Sequence, residues 1–208
     1  MPDVIATIEA LKQNGFNVWH VSGRNEVKPI FQEEILDVLK PKIVGFGDSM
    51  TVEEVGLIKL LDESEEISMI KLFNEEHSWG ERIQDCRDAL QSDLFLTGSN
   101  AITEKGHIIN LDMVGNRIAG IAFGPRHVVI VVSTKKFVKS LEDGMKRVKK
   151  AAVLNAKRHP DLNLPCAKTG ICMDCNSPNR ICNTWQIVEK SYPKGRINII
   201  IIDEDLGL

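Results

Sequence analysis

The chain has 208 residues, 43% of them hydrophobic, with 26 basic and 29 acidic side chains and a formal net charge of -3. That length fills one substantial core and is short for two ordinary domains, so a single domain over residues 1–208 is expected. Charges mixed in this way exclude the broad basic field that neutralises a phosphate backbone, which argues against nucleic acid as a partner.

Near the N-terminus, Asp3, Glu9 and Lys12 interrupt the apolar run that a secretory signal needs. The longest apolar run, residues 197 to 203, is broken by Asn198 and falls far short of the ~20 residues that span a bilayer. A cytoplasmic protein without a membrane segment is expected. In a reducing compartment, closely spaced cysteines are more often metal-binding or redox-active than a disulfide framework.

In chain order, Val4, Ile8 and Leu11 share one helical face that Gly15 closes, and "NVWHV" follows as a strand. Ile30, Phe31, Ile35, Val38 and Leu39 repeat at helical spacing until Pro41, after which "KIVGFG" reads as a buried strand. A helix near residues 51 to 62, the strand "ISMIKLF", a helix carrying Ile83, Cys86 and Leu90, and the strand "DLFLTG" continue the alternation. Between residues 102 and 112 a Lys105-Gly106 turn flanked by apolar stretches predicts a hairpin inserted after a core strand. "HVVIVVS" is a β-branched run typical of a strand covered on both faces, and a long helix from about residue 137 to 157 follows it. A Pro- and Cys-rich loop, residues 159 to 184, precedes the closing strands "WQIVEK" and "INIIIID". The whole reads as an α/β fold, a mostly parallel sheet flanked by helices.

Three stretches could carry chemistry. In "VGFGDSMTVEEVGL" a strand runs through Gly45 and Gly47 to Ser49 and Thr51 at the start of a helix. Glycines allow a tight turn and free amides at a helix start favour an anion; alternatively Ser49 or Thr51 simply caps the helix. In the second, Thr97, Gly98, Ser99 and Asn100 fall at the C-terminal end of a core strand, where α/β sheets hold ligands, and Asn110, Asp112, Asn116 and Arg117 follow. These are ligand-binding candidates, or else a turn network that satisfies its own backbone. The sequence has no nucleophile elbow, P-loop lysine or triad set, so the motifs assign no enzyme; Glu104 and Asp112 are the carboxylates to consider as acid/base or nucleophile. Of the five histidines, His107 and His159 lie nearest these stretches.

The third stretch is "CAKTGICMDCNSPNRIC", which spaces Cys166, Cys172, Cys175 and Cys182 as C-x5-C-x2-C-x6-C. Such spacing permits a four-sulfur site for zinc or an iron–sulfur cluster, a redox pair at Cys172 and Cys175, or locally packed thiols. Cys86, on an apolar helix face, belongs to the core.

Together "GDSMTVEEVGL", "DLFLTGSNAITEKGHIINLDMVGNRIAGIAFGP", "PCAKTGICMDCNSPNRICN" and "GRINIIIIDEDLGL" resemble the LUD-domain family, the lactate-utilisation proteins of bacteria and archaea. The resemblance covers nearly the whole chain from Leu11 onward. It implies a fold similar to ribose-phosphate isomerases, glucosamine-phosphate deaminases and CoA transferases, whose phosphorylated or CoA-linked ligands lie where "GFGDS" and "TGSN" should sit. It also implies an accessory role beside iron–sulfur subunits that oxidise lactate to pyruvate, with a small anionic metabolite as ligand. Two other roles stand beside it: an enzyme of the sugar-phosphate isomerase or CoA-transferase class, or a non-catalytic metabolite-sensing domain. Asp48 and Met113 occupy positions where the family usually has glycine, and a carboxylate at Asp48 disfavours a phosphate. The stretch "LFNEEHSWGERIQDC" also departs from the Asp-Arg-containing segment of many members.

Overall fold

A computed structural model describes residues 2–71 and 76–208. Helix α1 (Val4–Gln13) begins where the Asp3 side chain accepts from the Ala6 amide, buries Thr7, Ile8 and Leu11, and gives way to Gly15 at φ +83°. After β1 (Asn17–Val21), α2 (Val27–Ile30) and α3 (Asp37–Leu39) flank a π-helical turn at Phe31–Leu36 that buries Phe31 and Ile35. Lys40 then takes a left-handed conformation ahead of Pro41, which ends the helix as the sequence predicts.

Strand β2 (Ile43–Phe46) leads to two short helices, α4 (Met50–Glu54) and α5 (Leu57–Asp62). The single helix expected at 51 to 62 is thus broken, because Gly56 sits at φ +75°, a left-handed conformation that no α-helix continues through. Strand β3 (Ser68–Ile70) is shorter than the expected "ISMIKLF", whose Leu72 and Phe73 lie outside the described residues. Next come α6 (Trp79–Ala89) behind a Ser78–Glu81 capping box, β4 (Leu94–Gly98), and the expected hairpin of β5 (Ala101–Thr103) and β6 (Ile108–Asp112). A short helix α7 (Asn116–Ala122) and strand β7 (His127–Ser133) follow.

The long helix starts later than its apolar pattern predicts. A 3-10 turn at Thr134–Lys136 and a two-residue strand β8 (Phe137–Val138) come first, and α8 (Leu141–Arg158) begins only where Ser140 accepts from the Asp143 amide. The cysteine-rich segment contains a short helix α9 (Pro165–Thr169), and β9 (Thr184–Val188) and β10 (Ile197–Ile202) end the order.

Six parallel strands form the main sheet in the order β1-β10-β7-β4-β2-β3. Strict alternation divides its central strands between two cores. Val129, Val131, Ile200 and Ile202 face one side with Phe31, Ile35 and Val44, while Val128, Ile130, Val132, Ile199 and Ile201 face the other with Leu11 and Phe95. Each such fully buried aliphatic side chain contributes about 1.5–3 kcal/mol relative to exposure. The hairpin belongs to a second, four-stranded sheet in the order β8-β5-β6-β9, an arrangement not read from the sequence, in which Ala101, Ile109 and Leu111 pack against Val148 of α8. From β2 the chain runs outward to β3, whereas from β4 it returns toward β7. Divergent connections of this kind open a crevice beyond the carboxyl ends of neighbouring strands.

Candidate functional site

A cleft of about 800 Å³ occupies that crevice. Its floor is made by the residues that end β2 and β4: Gly47 and Ser49 on one side, Gly98, Ser99 and Asn100 on the other. The two glycines are steric requirements. A Cβ on Gly47 would stand 2.6 Å from the Phe95 ring, and one on Gly98 would collide with Ser49 Oγ. Ser49 caps α4, accepting from the Val52 amide at 3.4 Å. The plain capping role is therefore real, and the same residue faces the cleft.

Asn116 and Arg117, from the start of α7, form a second wall. Asp112 fixes it by accepting from the amides of Met113, Arg117 and Ile118 at 3.0–3.3 Å. The Arg117 guanidinium donates to Leu111 O at 2.9 Å and Asn100 Oδ1 at 3.3 Å, while its Nε is buried with no partner among the described residues. Asn100 in turn accepts from the Leu111 amide at 2.9 Å, and its own amide donates to Asn110 Oδ1 at 3.0 Å. Much of the second polar stretch is thus a self-satisfying network, whose inner surface lines the cleft.

Lys136 lines the cleft and is among several lining residues, Asn155, Arg158 and Asp161 included, that the sequence did not single out. It ends the 3-10 turn after β7, is 5% exposed, and donates from Nζ to Thr51 Oγ1 at 3.0 Å. Burial, reinforced by Arg147, Lys135 and Arg117 and only partly offset by Glu54, pulls its pKa down to about 7. On the opposite rim stand Asp48, at φ +54°, and Glu53. Burial, with Asp48 as the next cause, pushes the Glu53 carboxyl above its ordinary range. The floor of the cleft is cationic, and its rim carries both signs, because Arg158 also lines the cleft and partly offsets the rise of Glu53.

The other sequence candidates lie around it. Thr51 reaches the site through Lys136, Thr97 donates to Gly47 O at 3.2 Å behind the floor, and Asn110 is buried one layer further back. Gly45 is a packing position rather than part of an anion loop, since a Cβ there would meet Ala89 O at 2.8 Å. Glu104 lies away from the cleft, where it accepts from the Asp3 amide at 2.8 Å at the start of α1, so it is dropped as a catalytic candidate. His159 lines the cleft, whereas the His107 amide donates to Thr103 Oγ1 within the hairpin.

Cys166, Cys172, Cys175 and Cys182 all line one small pocket with Lys149, Arg180 and Ile181. Arg180 binds the loop together, donating to Cys175 O at 2.7 Å, Cys182 O at 3.0 Å and Asp174 Oδ1 at 2.7 Å. Burial, followed by the neighbouring thiol of Cys175, raises the Cys166 pKa. Among the described residues, no three His, Cys, Asp or Glu side chains already stand in a geometry that holds a metal ion. Cys86 is separate, buried in the core with its thiol pushed up to about 11.

Fold and site together define an α/β protein that presents a charged, polar cleft at the carboxyl ends of a parallel sheet. Residues 5–202 match the LUD domain, and the chain belongs to that family, which is associated with lactate utilisation. A solved DUF162 family protein from Deinococcus radiodurans has the same fold, with a TM-score of 0.55 at 12% identity over 97% of this chain and 96% of that one. None of the curated proteins matches the chain. No helix among the described residues is long and apolar enough to cross a membrane.

Proposed function

We propose that this chain is an accessory protein of lactate oxidation, working beside iron–sulfur subunits and binding a small monocarboxylate in the strand-end cleft. The observation that carries the reading is Lys136, a cation buried at the cleft floor whose hydrogen-bond partner is a neutral hydroxyl. A bound anion gives that ammonium the countercharge its surroundings withhold, and Arg117 adds a second cation on the adjoining wall. The choice of a monocarboxylate follows the family's association with lactate utilisation rather than the rim, where Arg158 stands with Asp48 and Glu53.

Binding rather than turnover is the better-supported activity. The carboxylate of Asp112 is engaged with three backbone amides, which suits it to holding the wall in place. The test is thermal denaturation with saturating lactate, pyruvate, inorganic phosphate, a sugar phosphate and acetyl-CoA in turn. Lactate or pyruvate should stabilise the wild-type chain by roughly 2–3 kcal/mol at a hundredfold excess over Kd, and the Lys136→Met variant should lose that response. Stabilisation by the sugar phosphate or acetyl-CoA alone would instead favour the transferase or isomerase class, and no response to any of them would remove the binding role.

A further inference from the structure

The cysteine pocket lies against the back of the cleft wall. Ala152 of α8 and Ile181 of the loop line both cavities, so the segment that carries the thiols also shapes the binding site. We propose that Cys166, Cys172, Cys175 and Cys182 form a four-thiolate metal centre that holds residues 159–183 against α8 and thereby fixes the outer wall of the cleft.

The segment needs something to hold it. From residue 159 to 183 Leu164 is the only fully buried side chain, and Ile171 and Met173 are 69% and 58% exposed. A stretch of that length with one core residue cannot order itself by apolar burial, and a metal is the usual staple where a core is too small. Hydrogen bonds from Arg180 close the loop locally, and Asn179 Nδ2 reaches Leu162 O at 3.2 Å. These are partly exposed contacts of modest worth.

Placement of the thiols argues against their being simple packing residues. Cys86 shows what a packing cysteine looks like here, buried among Ala89 and Phe95, whereas Cys172 is exposed, Cys166 and Cys175 are half-buried, and Cys182, also half-buried, packs against the edge of the cluster of Leu111 and Val148. Cysteines from the start of α9, the following loop and the approach to β9 nevertheless line one pocket. Charge supports the same reading. Four thiolates around zinc(II), or around a four-iron cluster in its oxidised resting state, leave a net charge of about -2. Lys149 and Arg180 line this pocket, and Asp174, 3.5 and 2.7 Å from them, offsets one of their two positive charges, so the surroundings stay net cationic. The described cysteines line the pocket without yet standing at bonding geometry, and drawing them inward moves a segment with little packed core to resist.

Full-length protein purified without oxygen should carry either about one zinc per chain, colourless, or about four irons with matching sulfide and a brown absorption that reductant bleaches. Both results support the centre and distinguish its two sources. Cys172→Ser should lose most of the metal, Cys86→Ser should keep it, and metal removal should raise amide exchange over residues 159–183 at least roughly tenfold. Should the serine variant fail to fold, cobalt(II) added to metal-free wild-type protein should give the intense bands of tetrahedral thiolate coordination. Metal-free protein that cobalt leaves colourless would overturn the proposal, as would a Cys172→Ser protein with wild-type metal content, or a disulfide among these cysteines in protein kept from oxygen. None of these readouts involves the cleft ligand, so this proposal and the carboxylate reading stand or fall separately.

Discussion

Lys136 bears a large electrostatic penalty, and its sign with pH can be worked out. Its folded pKa of about 7 lies below the ordinary 10.5 because the side chain is buried and faces Arg147, Lys135 and Arg117. Below about pH 7 the lysine is charged in the folded and unfolded chain alike, so the full penalty applies. Between about 7 and 10.5 the unfolded chain holds a proton that the folded chain has released, and stability rises with pH; above that window the penalty is gone. Lys136→Met should therefore stabilise the unliganded protein by on the order of a few kcal/mol at pH 6, less at pH 9, while binding lactate at least roughly tenfold more weakly. Melting temperatures of both proteins at about pH 6 and about pH 9 decide it: an equal difference at the two values would mean that the lysine does not titrate in this window. Gly47 offers a steric counterpart. Its neighbour Phe95 is fully buried, and a Cβ on either Gly47 or Gly120 would stand 2.6 Å from the ring. Gly47→Ala should cost about 1–3 kcal/mol, read as a lower denaturant midpoint with an unchanged slope.

Among the elements, α8 joins the most parts of the molecule. Val148 packs under the second sheet, Arg147 donates to Asn100 O at 2.6 Å beside the cleft, and Lys149 and Ala152 reach the cysteine pocket. Its start depends on Ser140, whose Oγ accepts from the Asp143 amide at 3.1 Å and donates to Asp143 Oδ2 at 2.8 Å. Ser140→Ala should cost about 1 kcal/mol of stability and leave lactate affinity within twofold, because the cap is remote from the cleft. A larger loss of affinity would mean that the first turn of α8 sets the wall. This helix also shows where the sequence was hard to read. Phe137, Val138 and Leu141 fit a helical face, so nothing local distinguishes β8 from a first turn; its partner, Ile102 of β5, lies 35 positions earlier in the chain. The β-branched runs of β7 and β10 were legible because burial on both faces leaves no polar positions. At the cleft, Ser49, Gly98, Ser99, Asn100, Asn116 and Arg117 were legible from glycines and amides following strands. Lys136 was not, since a lysine after a strand reads as solvent-facing, and residues distant in sequence, Thr51 at its Nζ and Gly207 of the tail, close around it.

For the whole molecule, two sheets raise the question of whether they unfold as one. No linker separates them: β4 passes into β5 through Ser99 and Asn100, which line the cleft, and the chain crosses between the sheets again from β6 to β7, from β7 to β8 and from β9 to β10. Ile102 and Ile108 of the second sheet belong to the same core as Phe95, Ile130 and Ile199 of the main sheet, and opening either sheet would expose that shared surface. A single cooperative transition is therefore expected. Of the three tryptophans, Trp19 lies in β1 of the main sheet, Trp185 in β9 of the second sheet, and Trp79 at the start of α6 beside the cleft, so the first two report on the two sheets once Trp79 is removed. Urea titrations followed by fluorescence in Trp79→Phe/Trp185→Phe and Trp19→Phe/Trp79→Phe backgrounds should give midpoints that coincide once the substitutions' own costs are subtracted. Saturating lactate should move both midpoints together, because its proposed site sits on the junction and its binding energy is lost when either sheet opens. Two separated transitions, or a ligand shift confined to one probe, would show that the second sheet is an independent unit and that the cleft is formed by only one of them.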